Sequence, residues 1–170
     1  IGLLCAISAR SRGANVLLSG TERDEPTRLR AARKIGFETL IVGPGKVNLD
    51  EQVLHHFANG ADALVEASGA AQALAESWKS VRPDGTVTAV ALYSRAIDMD
   101  LTQFLRKQID LRTSYASSKD DYIRAFELLL SQEVDLDVLT NEYSLEDAEQ
   151  GFLDSEALKV TKVLLNCSQT

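Results

Sequence analysis

The sequence predicts an α/β fold: a doubly wound, mostly parallel sheet flanked by helices. Two observations predict it. Short apolar runs closed by glycine alternate with amphipathic segments about ten residues long, the pattern of strands joined by right-handed crossover helices. The 170 residues, 45% hydrophobic and 25% charged, suffice for one buried core, and no repeat, low-complexity tract or linker divides them. Residues 1–170 are therefore read as a single domain.

Residues 1–12 carry Leu3, Leu4 and Ile7 with Ala6 and Ala9 and stop at Gly13, which predicts a helix closed by glycine. Asn15–Gly20 (NVLLSG) reads as a buried strand. Pro26 suits the first turn of a helix through Lys34, with Leu29, Ala32 and Ile35 on one face and Gly36 ending it. Glu38–Val42 is the next strand, followed by the Gly43-Pro44-Gly45 turn. Asp50–Ala58 reads as a helix and Ala61–Ala67 as a strand. Ala71–Val81 reads as a helix around Leu74 and Trp78, and Gly85–Leu92 as a strand after the Pro83-Asp84-Gly85 turn. Leu101–Lys107 is a short helix and Ile109–Tyr115 a strand. Asp120–Ser131 is a helix with Tyr122, Ala125, Phe126, Leu129 and Leu130 on one side. A strand at Val138–Tyr143, a helix at Leu145–Leu153 capped by Ser144 with Asp147 three residues on, and a strand at Val160–Leu165 end the chain.

Composition narrows the function. Lys plus Arg number 18 against 25 Asp plus Glu, a formal charge of −7, so the surface field repels a phosphate polymer and nucleic acid is a poor partner. No stretch approaches the roughly 20 apolar residues of a membrane span, and the uncharged start precedes Arg10 and Arg12, the reverse of a signal peptide. Cys5 and Cys167 have neither metal nor redox spacing and are expected to be reduced, buried thiols of a cytoplasmic protein. His55 and His56 are adjacent, about 100° apart on a helix, and do not face one metal together. The chain opens with Ile, directly in helical text, so it is expected to be part of a longer polypeptide.

In an open parallel sheet, ligands lie beyond the carboxyl ends of the strands. Those ends are Ser19-Gly20-Thr21-Glu22-Arg23, Ala67-Ser68-Gly69, Leu92-Tyr93-Ser94 and Ser114-Tyr115-Ala116-Ser117. Small residues there let a flat ligand such as a dinucleotide lie against the backbone, although small residues also serve turns on their own account.

Gly2-Leu3-Leu4, NVLLSG, the helix ending RKIG, ADALVEASGAAQALAESWKSVRPDGTVTAVAL, LRKQIDLRTSYASSKDDYIRAFELL and LKVTKVLL follow one another in order. In that collinear set the chain resembles the cofactor domain of the zinc-type medium-chain dehydrogenases, the alcohol, polyol, sorbitol and threonine dehydrogenases. The resemblance implies a Rossmann-type sheet that binds NAD(P) and lacks its first strand here. Gly2 matches the last glycine of the family's G-x-G-x-x-G turn, whose first two glycines and preceding strand would lie upstream. That strand is central in the order 3-2-1-4-5-6, so its absence would leave a gap of roughly 10 Å and an unstable isolated chain.

The same resemblance assigns further positions. Gly20 stands where NAD enzymes carry the acid that holds the ribose, and Thr21, Glu22 and Arg23 follow. Loss of the acid beside a guanidinium favours NADP, with two alternatives open: Glu22 taking the acid's part, or Arg23 paired with Asp24. Ser68 and Gly69 resemble the contact with the adenosine half, and Val90–Leu92, ending in Leu92, the backbone that holds the nicotinamide carboxamide. Lys159 matches a basic position that reaches the pyrophosphate, while Ser114 is a candidate only as a strand end of the predicted parallel sheet.

The family's zinc ligands belong to a separate N-terminal domain, and no His-Glu dipeptide or cysteine cluster occurs here, so no catalytic or metal residue is assigned. The resemblance implies NAD(P)-dependent oxidation of a small secondary alcohol or polyol in a homodimer or tetramer, paired through the strand Ile109–Tyr115. Two other readings stand beside it. One is a non-catalytic nucleotide-binding or sensor module. The other is a short-chain dehydrogenase using Tyr115 and Lys119, which spell Tyr-x-x-x-Lys. That pair must sit within a helix, whereas Tyr115 ends a strand, and Ala67-Ser68-Gly69 stands where Asn-Ala-Gly is expected.

Overall fold

The computed structural model describes residues 1–131 and 134–168. Every strand pairing in it is parallel. β1 (Leu17–Gly20) pairs with β2 (Glu38–Ile41); β3 (Ala61–Glu66), β4 (Val81–Ala89) and β5 (Asp110–Thr113) form a second sheet in that order; β6 (Asn141–Ser144) pairs with β7 (Val163–Asn166). The strands thus form three hydrogen-bonded sheets where one was expected, and among the described residues no strand pairs with the outer edge of β1 or of β3.

Two compact units divide the chain. The first, residues 1–5 and 47–123, holds β3, β4 and β5 with α3 (Leu49–His56), α4 (Ala71–Ala75) and α5 (Leu101–Arg106). Its core is Leu74, Val81, Val87, Ala89 and Phe104, with Leu64, Trp78, Tyr93, Ile97, Met99 and Ile109 packed around them. Gly85, Val87 and Ala89 are buried while Thr86 and Thr88 are less so, the two-residue period of a strand with one covered face. Lys107, just past α5, donates from Nζ to the carbonyls of Trp78 and Val81, each at 2.8 Å. Burial lowers its pKa, and the charge of Asp50 partly offsets that shift.

Three boundaries in this unit differ from expectation. The helix predicted through Val81 stops at Ala75 and gives way to a 3₁₀ turn at Ser77–Lys79, while Val81 begins β4. Pro83-Asp84-Gly85 lies inside that strand as a bulge: Ala61 pairs with Val81, but Ala63 pairs with Thr86. The bulge accommodates a proline that has no ladder N–H, and Asp84, with φ of 57°, donates its N–H to the Lys107 carbonyl at 2.9 Å. β5 spans only four residues, all exposed.

The second unit comprises residues 6–46 and those from Arg124 onward, with β1, β2, β6, β7, α2 (Arg30–Lys34), α7 (Leu136–Leu139) and α8 (Ala148–Glu156). α1 (Gly2–Arg10) and α6 (Lys119–Leu130) contribute residues to both units. Pro26 opens a π-helical turn, Glu25–Leu29, ahead of α2, in which the Leu29 N–H donates to the Asp24 carbonyl at 2.9 Å. Arg10 closes the far end of α2, donating from Nη1 to the Ile35 carbonyl at 2.7 Å and lying 4.0 Å over the Phe37 ring.

Here the first two residues of the predicted strand Val138–Tyr143 are helical. The Asp135 carboxylate caps Asp137 and Val138, so α7 forms first and β6 begins only at Asn141. Ser144 and Asp147 do form the expected reciprocal pair, at 2.9 and 3.2 Å, but α8 starts after it, at Ala148. The predicted apolar side of α6 exists yet is uncovered: the helix has no buried residue, with Tyr122 and Phe126 each 63% exposed. The two thiols are free, Cys5 half-buried and Cys167 exposed, contrary to the expectation of burial, because Cys167 lies just past the end of β7.

Candidate cofactor site

The first unit gathers five of the predicted residues at the carboxyl end of its sheet. Parallel pairing in register ends β3, β4 and β5 on the same side, so Ser68-Gly69, Leu92 and Ser114 all follow strand ends there. The ladder runs slightly past the strands: the Val90 N–H donates to the Glu66 carbonyl at 2.9 Å and the Ser114 N–H to that of Ala89 at 3.1 Å. Gly2, opening α1, lies beside the same end, since a Cβ on it would sit 3.4 Å from the Ala67 Cβ.

The organiser of this end is Glu66, which the sequence reading passed over. Only 4% exposed, its carboxylate accepts from the Ser68 N–H at 2.8 Å, the Gly69 N–H at 3.3 Å, and the hydroxyls of Ser68 and Tyr93. Burial, followed by the hydrogen bond and charge of Glu66, pushes the Tyr93 pKa well above the ordinary phenol value, so its hydroxyl stays protonated as a donor. The available signal was an acid at the end of the apolar run ALVEA: a carboxylate there needs donors, and the nearest small-residue turn supplies them.

Gly69 has φ of +75°, and a Cβ on it would stand 3.0 Å from the Leu92 carbonyl oxygen, so glycine lets the β3 end approach the β4 end. Gly2 differs. Its φ is not positive and a Cβ would meet only ordinary contact, so the fold itself does not require glycine there. With no acidic residue in the first turn of α1, the N–H groups beginning at Gly2 remain suited to an anion.

The second unit holds the loop after β1. Gly20 has a packing cause: a Cβ would come within 3.1 Å of Leu29 Cδ2 and 3.2 Å of Asp24 Cβ. Asp24 accepts from the Thr21 N–H at 3.0 Å, the Thr21 hydroxyl at 2.8 Å and Arg28 Nη1 at 2.9 Å. Burial acts to raise the Asp24 pKa, but the Thr21 hydrogen bonds and Arg28 outweigh it and hold the carboxyl below its usual range. Glu22 pairs with Lys46 at 2.5 Å. Both acids beside Arg23 are therefore engaged by other cations, and Arg23 is exposed with no ion pair to any described residue.

Lys159 is held by Asp154 at 2.9 Å, a carboxylate that also accepts from Gln150 and from the Tyr143 hydroxyl. Tyr115 and Lys119 do not form the helical acid/base pair. Tyr115 lies in the loop after β5, 84% exposed, Ala116 has φ of 62°, and Lys119 is the first residue of α6. His56 stacks edge-on with Phe57 at 4.5 Å, and among the described residues no group of three His, Cys, Asp or Glu could hold a metal ion.

Comparison with known proteins bears on this arrangement. The profile of the family described as zinc-binding dehydrogenase matches residues 1–131. The chain is 29% identical to a probable D-xylulose reductase A of Aspergillus clavatus over 97% of its own length and 47% of the relative's. It is likewise 29% identical to a sorbitol dehydrogenase of Halalkalibacterium halodurans, over 97% of this chain and 48% of that one. Among solved structures, 2R,3R-butanediol dehydrogenase from Bacillus subtilis superposes with a TM-score of 0.86 at 19% identity, covering 98% of this chain and 48% of that one. The chain thus spans about half the length of the relatives it matches. Its fold is Rossmann-type α/β, and the chain belongs to the zinc-binding dehydrogenase family.

Proposed function

We propose that this chain is the NAD(P)-binding half of a dehydrogenase that oxidises a small secondary alcohol or polyol, with zinc held by another part of the protein. The observation that carries the proposal is the gathering of Gly2, Ser68, Gly69, Leu92 and Ser114 at one sheet end, where four of the five are glycine or serine and leave room for a flat ligand. A bound nicotinamide supplies the hydride acceptor. The N–H groups at the start of α1 would receive the pyrophosphate, Ser68 and Gly69 the adenosine half, and the Val90–Leu92 backbone the nicotinamide carboxamide. The described residues offer no metal ligand set, so no step through zinc is assigned to them. The names of the relatives, a xylulose reductase and a sorbitol dehydrogenase, support a polyol substrate.

Within that reading NADP is favoured over NAD. Glu22 is engaged by Lys46 and Asp24 by Arg28 and Thr21, which leaves Arg23 as the donor for a 2′-phosphate and Thr21 as its neighbour. Gly20 supplies no carboxylate to repel that phosphate. Lys159, paired with Asp154, is read as a cofactor-phosphate contact from the family resemblance alone. The exposed strand β5 supports pairing with a second copy in a homo-oligomer. No helix among the described residues is long and apolar enough to cross a membrane.

The test uses the full-length gene product loaded with zinc, assayed by nicotinamide absorbance on sorbitol, xylitol and simple secondary alcohols with each cofactor. Polyol-dependent reduction of NADP, with a preference that Arg23→Ala erases, is expected. Failure to reduce either cofactor with any of these alcohols would overturn the proposal.

A further inference from the structure

We propose that Glu66 is a positioning residue for the dinucleotide, holding the turn read as the adenosine contact and the segment read as the nicotinamide contact at a fixed spacing. This rests on the cofactor reading above. A buried carboxylate is tolerated when donors satisfy it, and here they come from the loops after two different strands. Ser68 and Gly69 follow β3 and donate through two N–H groups and a hydroxyl, whereas Tyr93 follows β4 and donates across a sequence separation of 27 residues.

The division between the two oxygens is informative. Oε1 holds Ser68 alone, while Oε2 is shared by Gly69 and Tyr93 and so links the two loops. The Tyr93 ring packs on the core, which fixes one end of the link, and the Gly69 turn lies against the Leu92 carbonyl, which fixes the other. Ser68 Oγ passes the restraint on by accepting the Ala70 N–H at 3.1 Å, at the start of α4. Leu92 itself is 80% exposed, so its backbone position is set by this linkage rather than by burial of its own side chain. Neither Glu66 nor Tyr93 needs to touch the cofactor for its loss to be felt.

The experiment compares two probes on the full-length protein: NADPH, which spans both loops, and 2′-phospho-ADP-ribose, which lacks the nicotinamide. Tyr93→Phe removes one donor and keeps the ring. It is expected to weaken NADPH binding roughly tenfold and to leave 2′-phospho-ADP-ribose affinity unchanged, with a small drop in melting temperature because the buried Glu66 carboxylate loses one donor. Glu66→Gln is expected to weaken both probes, and combining the two changes should cost NADPH affinity less than the sum of the single effects. If Tyr93→Phe melts early, Glu66→Gln and Ser68→Ala are read in its place, Ser68→Ala weakening both probes because each carries the adenosine half. NADPH affinity that survives these variants, or falls only in step with melting temperature, would overturn the inference. A wild-type protein that binds neither these two probes nor NADH would overturn the cofactor reading itself, a separate outcome.

Discussion

At Gly2 and Gly20 the same residue type answers to two different causes. Gly20 is crowded by its neighbours Asp24 and Leu29, which would have to give by a few tenths of an ångström for a Cβ, whereas Gly2 has room for a methyl group against Ala67. Gly2→Ala is therefore expected to leave the melting temperature of the full-length protein unchanged while weakening dinucleotide binding, since the proposed cofactor reading brings the pyrophosphate to the N–H groups at that helix start. A calorimetric titration beside a thermal melt separates the two effects; unchanged affinity would remove Gly2 from the proposed binding site. Asp24 gives a pH prediction. Its folded pKa lies below the unfolded value near 4, so the unfolded chain binds more protons in that window and stability rises with pH there. The stabilisation is thus present above about pH 4 and lost as pH falls through the lower, folded value. Melting temperatures measured down through this range should fall more steeply for the wild type than for Asp24→Asn. At this scale the sequence announced small residues at strand ends and little else. The links from Tyr93 to Glu66 and from Lys46 to Glu22 join residues 27 and 24 positions apart, and no local pattern encodes them.

Element boundaries were legible where periodicity ran uninterrupted and illegible where a tertiary contact decided them. NVLLSG and ETLIV became β1 and β2 almost as read, and ADALVEA became β3, because each is a short apolar run between turn residues. Pro83-Asp84-Gly85 reads locally as a turn, yet the Asp84 N–H finds the Lys107 carbonyl and the three residues bulge within β4. The Asp135 cap similarly turned the start of a predicted strand into α7. Gly85 tests the bulge directly. A Cβ there would lie 2.3 Å from Val81 Cγ1 and 3.0 Å from the carbonyl oxygens of Arg82 and Asp62, and Val81 is fully buried with no space to retreat. Gly85→Ala should destabilise the protein by about 2 kcal/mol or more in urea unfolding, as overpacking of a filled core does. A loss under about 0.5 kcal/mol, typical of surface changes, would show that the bulge yields.

Over the whole molecule, the alternation of strands and helices carried the fold class, since every observed pairing is parallel. It did not carry sheet continuity, because nothing local reveals that β1 and β3 each keep one edge without a strand partner among the described residues. The apolar side chains exposed along α6 form the one side that periodicity picked out, and Leu111 of β5 is likewise exposed. The proposed binding of a nicotinamide dinucleotide across the end of the β3, β4 and β5 sheet is tested by titrating the full-length gene product with NADPH and with NADH and following cofactor fluorescence. Saturable binding, tighter for NADPH and weakened by Gly2→Ala, is the predicted result. Absence of saturable binding by either dinucleotide would contradict it.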